Sequence, residues 1–552
     1  MDKQLVTLED DGYFNLGSYH RLITTKSPIA QRWFNRGLIW AYGFNTQEAS
    51  NCFEKVIAAD PDCAMGYWGL AYTRGPYYNK AWRLFDPKDL KMALEATYRA
   101  SRQALNLIGN ASPVEQALIH AIVARYPQST PTDDYSVWNR AYADAMETSY
   151  KQFSDDLPGP NARTLDACAA VSRALTQKGA DEHPGLLHLH IHLMEMSRTP
   201  EVAVHSADLL RGLVPDSGHL NHMPSHIDVL IGDYRSAVAA NTAAVKADAK
   251  FVEKLGGMNM YTFYRAHDYH SLIYAAMMCG QSRVALDNCT HLEEAIPEKL
   301  LIVESPPMAD WLEAFCAVRP HVLIRFGRWD DIINLTLPTN QSLYCVTTAT
   351  IHYAKGVAYA ATGNVTEALK QQALFIEALS RVPSSRMDYP NKCVDILKVA
   401  VAMLAGEIEY RRGNYEVAFQ HLRRSIHLDD RLLYSEPWGW MQPARHAYAA
   451  LLLEQGPVEE AATAYAEDLG LDESLPRGHQ HPNNIWALRG YHECLTLLGR
   501  TAEAKLLELP LKLATCLADI PVQSSCFCRT NTQKVPVKNE KSCYMSGSCQ
   551  LK

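Results

Sequence analysis

GNYEVAFQHLRRSIHLDD, residues 413–430, is one unit of a repeat that recurs through most of the chain. Its Gly413 suits the left-handed residue that closes a helix, because glycine carries no Cβ to clash there. A short turn follows, then a second helix, with the small Ala418 five residues after the glycine where two helices must approach closely. The same spacing pairs Gly232 with Ala237, Gly280 with Ala285, Gly363 with Ala368, Gly456 with Ala461 and Gly499 with Ala504. Gly327 keeps it with Ile332 in place of alanine, and the glycines fall 36 to 50 residues apart. Twelve residues after the alanine comes a helix-stopping residue: Pro61 after Ala49, Pro215 after Ala203, Pro297 after Ala285, Asp430 after Ala418. Fixed spacing of this kind is the signature of stacked helix hairpins.

These segments, together with NTQEASNCFEKVIAADPDCAMGYWGLAY at residues 45–72, resemble tetratricopeptide repeats. The expected fold is therefore all-α, with tetratricopeptide-type hairpins stacked into a right-handed superhelical array. Residues 1–29 read as a lead segment, 30–520 as the repeat domain, and 521–552 as a polar, disordered tail. Residues 76–160 read as helical without a clear register, with a loop at YPQSTPTDDYS, residues 126–136.

Composition narrows the function. Of 552 residues, 47% are apolar and 21% charged, which supplies a continuous core. The net charge is −8 and no basic stripe stands out, which argues against nucleic acid. No run of about 18 apolar residues exists, so no membrane partner is expected. The opening MDKQLVTLEDDGYF lacks the basic and apolar regions of a secretory signal. Fourteen cysteines scattered through helical segments suit a reducing compartment. The expected location is cytoplasmic.

The repeat also serves as a ruler for the histidines. With Arg198 standing at the glycine position before Ala203, His188, His222 and His270 lie ten residues upstream in three successive units, and His446 does so later. Six upstream lie His192, His226, Tyr274 and His321; thirteen upstream lie His219 and His267; Glu195 lies three upstream. On one helix, His188, His192 and Glu195 share a face and His190 points away. His222 and His226 share that spacing, but Pro224 between them places His222 just outside a helix, near its cap. Neighbouring helices pack about 8–10 Å apart, so equivalent positions can aim imidazoles into one pocket on the concave side. Imidazole is the commonest protein ligand for transition metals, and a set without thiolates admits zinc, copper or iron. The candidate ligands are His188, His192, Glu195, His222, His226, His267 and His270. Structural histidines, or histidines that bind an acidic peptide, are the competing reading of the same ladder.

Three further residues are candidates for substrate contact. Trp438 and Arg445, in EPWGWMQPARHAYA, combine an aromatic with a guanidinium, as ligand walls do, although helix-start packing after Pro437 explains them equally. Tyr264, beside Tyr261 in NMYTFYRAHDYH, could orient an imidazole or simply fill core. In the tail, Cys526, Cys528, Cys543 and Cys549 lack paired C-x-x-C spacing, and the final CQLK is an atypical prenylation box. No HExxH, glycine-rich phosphate loop or GxSxG elbow occurs.

LHLHIHLMEMS, GHLNHMPSHI and YRAHDYH together resemble the tetratricopeptide repeat protein 38 family and its bacterial and fungal relatives, from about Ala30 to Leu498. The resemblance implies an all-helical fold and histidines at 188, 192, 222, 226, 267 and 270 with Glu195; it supplies no reaction. Relatives carry a further Trp-rich helical segment between RTLDACAAVS and HPGLL, where this chain has only a short link, which puts one wall of the pocket in question. Two functions follow from these residues. One is a transition-metal enzyme acting on a small molecule, by water or dioxygen chemistry, for which an accessory step in a biosynthetic pathway is compatible. The other is a non-catalytic scaffold that takes a peptide or protein partner in its groove. Metal storage or sensing is a weaker third.

Overall fold

The computed structural model describes residues 12–152, 164–472 and 474–530. The chain is helical almost throughout. Among the described residues, extended pairing is confined to the ribbon Met387–Asp388 against Asn391–Lys392 and a bridge between Tyr77 and Lys80. Helices start where a side chain can satisfy the free N–H groups of the first turn. Asn45 accepts from the Glu48 amide, Asn364 from that of Glu367, and Asp86 from those of Lys88 and Asp89 with Pro87 at the first helical position. Ser112 and Glu115 cap one another reciprocally.

Consecutive helices pack as antiparallel hairpins. Pro28–Tyr42 lies on Thr46–Ala59, Thr262–Met278 on Ser282–Ala295, Cys345–Ala361 on Val365–Ser380, and Cys393–Arg411 on Tyr415–Asp429. Ala444–Gln455 with Val458–Leu469, and Ile485–Leu497 with Thr501–Leu517, continue the series. The alanines of the repeat sit at these contacts: Ala49, Ala237, Ala285, Ala368, Ala418 and Ala461 are all fully buried. Closer approach requires glycine. A Cβ on Gly69 would come within 2.3 Å of the Phe53 ring, and one on Gly490 within 2.2 Å of Tyr465.

Two apolar cores meet at the centre. One gathers residues from Phe14 to Tyr264, the other residues from Val229 to Cys528. The helix Thr262–Met278 joins them, with Tyr264 in the first core and Ala266 and Ile273 through Cys279 in the second. The last hairpin returns to this helix. Trp486 Nε1 donates to the Met277 carbonyl at 2.8 Å, and the Asp519 carboxylate accepts from the amides of Ser282 and Arg283.

The structure differs from the expected tail. Residues 521–530 run back across the second core. Arg325 donates to the Ser525 carbonyl at 2.9 Å, Ser525 Oγ donates to the His446 carbonyl at 2.8 Å, and Arg529 forms a bidentate pair with Glu493. The cause is the polar inventory of the core. Buried Arg325, His446 and Tyr465 need partners, and SSCFCR at residues 524–529 supplies them, so polarity here marks docking, not solvation. Cys526 Sγ accepts from the Cys528 amide at 3.2 Å. Cys543, Cys549 and the terminal CQLK lie outside the described residues. None of the described helices is long and apolar enough to cross a membrane.

Candidate metal centre

The site lies where the two cores join, on three helical segments. The first is Pro184–Glu195, which begins with Pro184 at its first position and with His183 Nδ1 accepting from the Leu186 amide. Its helical period puts His188, His192 and Glu195 on one face, and His190 on another, where it bonds Ser206 at 2.8 Å. The second segment is Gly218–His222 followed by Pro224–Ile231. His222 lies just outside the helix Pro224–Ile231, beside its cap residue Met223, as Pro224 implied; it also closes a short helix of its own, and Met223 keeps right-handed helical angles (φ −50°, ψ −39°). Proline removes one N–H, but the tightly packed residues on either side hold the helical path. His219, His222 and His226 thereby share one side. The third segment is Thr262–Met278, which carries His267 and His270.

Six imidazoles converge. The ligand atoms of His188, His192 and His219 lie within 4.8 Å of one another, as do those of His222, His226 and His267. Adjacent rings run in a chain, with centroids 4.8 Å apart for His188 and His192, 5.4 Å for His192 and His226, 4.7 Å for His222 and His226, and 4.6 Å for His222 and His267. His219 closes the circuit at 5.0 Å from His188 and 5.6 Å from His222.

Hydrogen bonds fix the tautomers of four rings. His188 Nδ1 lies 2.6 Å from the Tyr42 carbonyl, His192 Nδ1 2.9 Å from Glu195 Oε1, and His226 Nδ1 2.5 Å from Glu195 Oε2. His222 Nδ1 lies 2.6 Å from Asn241 Oδ1, whose amide group is in turn oriented by the Ala237 carbonyl. Each partner is an oxygen acceptor, so each Nδ1 carries the hydrogen, and on the neutral ring Nε2 then presents a lone pair. His188 Nε2 and His192 Nε2 are buried with no hydrogen-bond partner, and neither ring nitrogen of His219 has one. His222 Nε2 and His226 Nε2 face each other at 2.7 Å. Two lone pairs at that distance repel unless a cation lies between them. Tetrahedral ligands at about 2.0–2.1 Å from zinc stand roughly 3.3 Å apart, so a metal ion needs these rings to part by only about 0.6 Å.

Burial disfavours charge on five of the six rings. Burial, reinforced by neighbouring imidazoles, holds His188, His219, His222 and His267 well below the usual imidazole range. Burial lowers His226 as well, against the opposing pull of Glu195. Burial alone would raise Glu195, but His192 and His226, through charge and two N–H bonds, bring it down to about 2. Glu195 is therefore an ionised acceptor gripping two rings, the arrangement by which outer carboxylates set ligand histidines.

A cavity of about 600 Å³ opens beside the cluster and is lined by His192, His219, His226 and His267. Its aromatic walls include Tyr78, which stacks on His192 at 4.7 Å, and Tyr264, which meets His219 edge-on at 5.0 Å. Size and lining are those of a small-molecule site. Glu436 also reaches this cavity; burial, then the charge of Glu195, pushes its carboxyl well up, so it is held as the acid.

Three sequence candidates stand apart. His270 borders the cavity, but its Nε2 faces Met441 Sδ at 3.2 Å and it joins neither triad. Trp438 stacks on Tyr274 at 5.3 Å and donates to the Gly478 carbonyl, away from the cavity. Arg445 is held by Asp430 and Glu467. Both do the packing work of a helix start, which corrects their reading as substrate contacts. Conversely, the ladder leaves His219 out of the ligand set, although its place thirteen residues before Gly232 matches that of His267 before Gly280. Asn241, Glu436 and the Tyr42 carbonyl carry no signal in the sequence at all.

No protein-family profile matches the sequence, and no curated protein does. Among solved structures, the chain resembles "Structure of Naa15/Naa10 bound to HypK-THB" at 15% identity, covering 88% of this chain and 70% of that one, with a TM-score of 0.21. Nothing about the site follows from so loose a likeness.

Proposed function

We propose that this protein is a transition-metal-dependent enzyme acting on a small molecule in the aromatic-walled cavity. The observation that carries the reading is the convergence of Nε2 lone pairs from rings whose Nδ1 hydrogens are each anchored on an oxygen. Among these rings His188 and His192 leave the second nitrogen buried and bare, at a cost of about 1–3 kcal/mol each, which a bound metal would remove. The ligands proposed are His188, His192, His219, His222, His226 and His267, with Glu195 and Asn241 orienting rings from outside.

His192, His219, His226 and His267, which line the cavity, would hold a metal at its wall, where it would supply Lewis acidity or redox chemistry. The chain's own residues divide the remaining work. Tyr78 and Tyr264 shape the cavity for a flat or apolar substrate body, and Glu436 holds a proton at a carboxyl oxygen facing it. We further propose that the hairpins form a right-handed superhelix of the tetratricopeptide type whose first helices face the site, in keeping with the resemblance to the tetratricopeptide repeat protein 38 family.

The test is elemental analysis of untagged protein, for wild type and for His222→Ala with His226→Ala. Stoichiometric transition metal in wild type, reduced in the double variant while helical circular dichroism is retained, supports the reading. A wild type that is metal-free and takes up neither zinc, copper nor iron on reconstitution would overturn it and leave the cavity as a binding surface for a partner.

A further inference from the structure

We propose that the site is dinuclear, one transition-metal ion in the triad His188, His192 and His219 and a second in the triad His222, His226 and His267. This rests on the metal-binding reading above. Within each triad the ligand atoms already lie inside 4.8 Å of one another, and each triad is built on a different pair of segments. The first combines Pro184–Glu195 with Gly218–His222; the second combines the Gly218–Ile231 region with Thr262–Met278.

Glu195 ties the two together. One oxygen holds His192 of the first triad and the other holds His226 of the second, so a single carboxylate fixes their relative position. The rings that face each other across the divide are 5.4 Å apart for His192 and His226 and 5.6 Å apart for His219 and His222. A single ion cannot satisfy the set. Placed among His222, His226 and His267, it leaves His188 Nε2, His192 Nε2 and both nitrogens of His219 buried without partners. A second ion gives one nitrogen of each of these three rings a partner.

Donor chemistry narrows the metal. Six imidazoles without a thiolate suit zinc, copper, iron or nickel, and disfavour magnesium, calcium and manganese.

The experiment is an anaerobic titration of full-length apo-protein with Cu(I), read against a chromophoric Cu(I) chelator, with a parallel Zn(II) titration. We expect two equivalents of metal in wild type, as Cu(I) held against the chelator or as Zn(II). His188→Ala with His219→Ala is expected to keep one equivalent, held by the second triad. One equivalent in wild type would overturn the dinuclear assignment while leaving the metal-binding reading standing; none of either metal would overturn both. Because the wild-type stoichiometry alone decides between one ion and two, a variant that fails to fold does not rescue the proposal.

Discussion

Glu195→Gln changes one atom and separates a metal-orienting carboxylate from an ordinary buried acid. In the native site the carboxylate accepts Nδ1–H from His192 at 2.9 Å and from His226 at 2.5 Å. Glutamine has one carbonyl oxygen and one amide group. The oxygen can keep one ring, but the NH₂ confronts the Nδ1–H of the other, donor against donor. That ring must give up the contact or move its hydrogen to Nε2, and in the second case it ceases to be a ligand. Loss of such an outer partner typically lowers metal affinity by about 10–100-fold, or about 1.4–2.7 kcal/mol. A hydrogen bond to a charged acceptor is worth about 1.5–3 kcal/mol, so the two estimates agree. The assay is competition with a chromophoric chelator, on wild type and E195Q with matched helical circular dichroism. Metal affinity in E195Q within twofold of wild type would refute the reasoning, because the rings would then need no carboxylate to set their tautomers.

Other predictions follow from the fold and its buried groups. Asn241→Ala removes the acceptor of His222 Nδ1–H and should cost about 1–3 kcal/mol in urea unfolding of the apo-protein, with a matching loss of metal affinity. Burial holds His321 and His446 at about 4, below the ordinary imidazole value, so between pH 6.5 and 4 the unfolded chain binds protons that the folded one does not. Stability from these two is therefore complete above pH 6.5 and lost on acidification, by about 1.4 kcal/mol per pH unit for each, which urea midpoints at pH 7.0, 6.0 and 5.0 will check. Gly490→Ala puts a methyl 2.2 Å from Tyr465 and should destabilise by about 2 kcal/mol despite alanine's better helix propensity; a higher melting temperature would contradict the packing. Ser525→Ala breaks the bridge between Tyr465 and the His446 carbonyl and should cost about 1–3 kcal/mol, whereas a solvated tail would give no change.

The helical fold was legible because it is written in local chemistry. Glycine at a left-handed cap and alanine at a close contact are demands of single turns, and they recur at fixed offsets; Gly232, for example, ends its helix at φ 77°. The shared face of His188, His192 and Glu195 is legible for the same reason, since helical period alone dictates it. What the ruler missed is phase between helices. It aligned His270 with His188 and His222, yet the thirteen-back positions His219 and His267 enter the triads while His270 turns to Met441. Trp438 and Arg445 misled for a related reason: an aromatic beside a guanidinium looks alike in a ligand wall and in a helix start, and only the positions of Asp430, Glu467 and Tyr274 decide between them. The first residues of the tail read as solvated because their partners, Arg325 and His446, lie far away in sequence.

The most direct measurement of the central claim is X-ray absorption at the metal edge of reconstituted wild-type protein. A first shell of nitrogen and oxygen at about 2.0 Å is expected for zinc or copper, with the outer-shell scattering of about three imidazoles per ion. A sulfur shell near 2.3 Å, or an oxygen shell without imidazole scattering, would place the metal elsewhere in the chain and contradict the account.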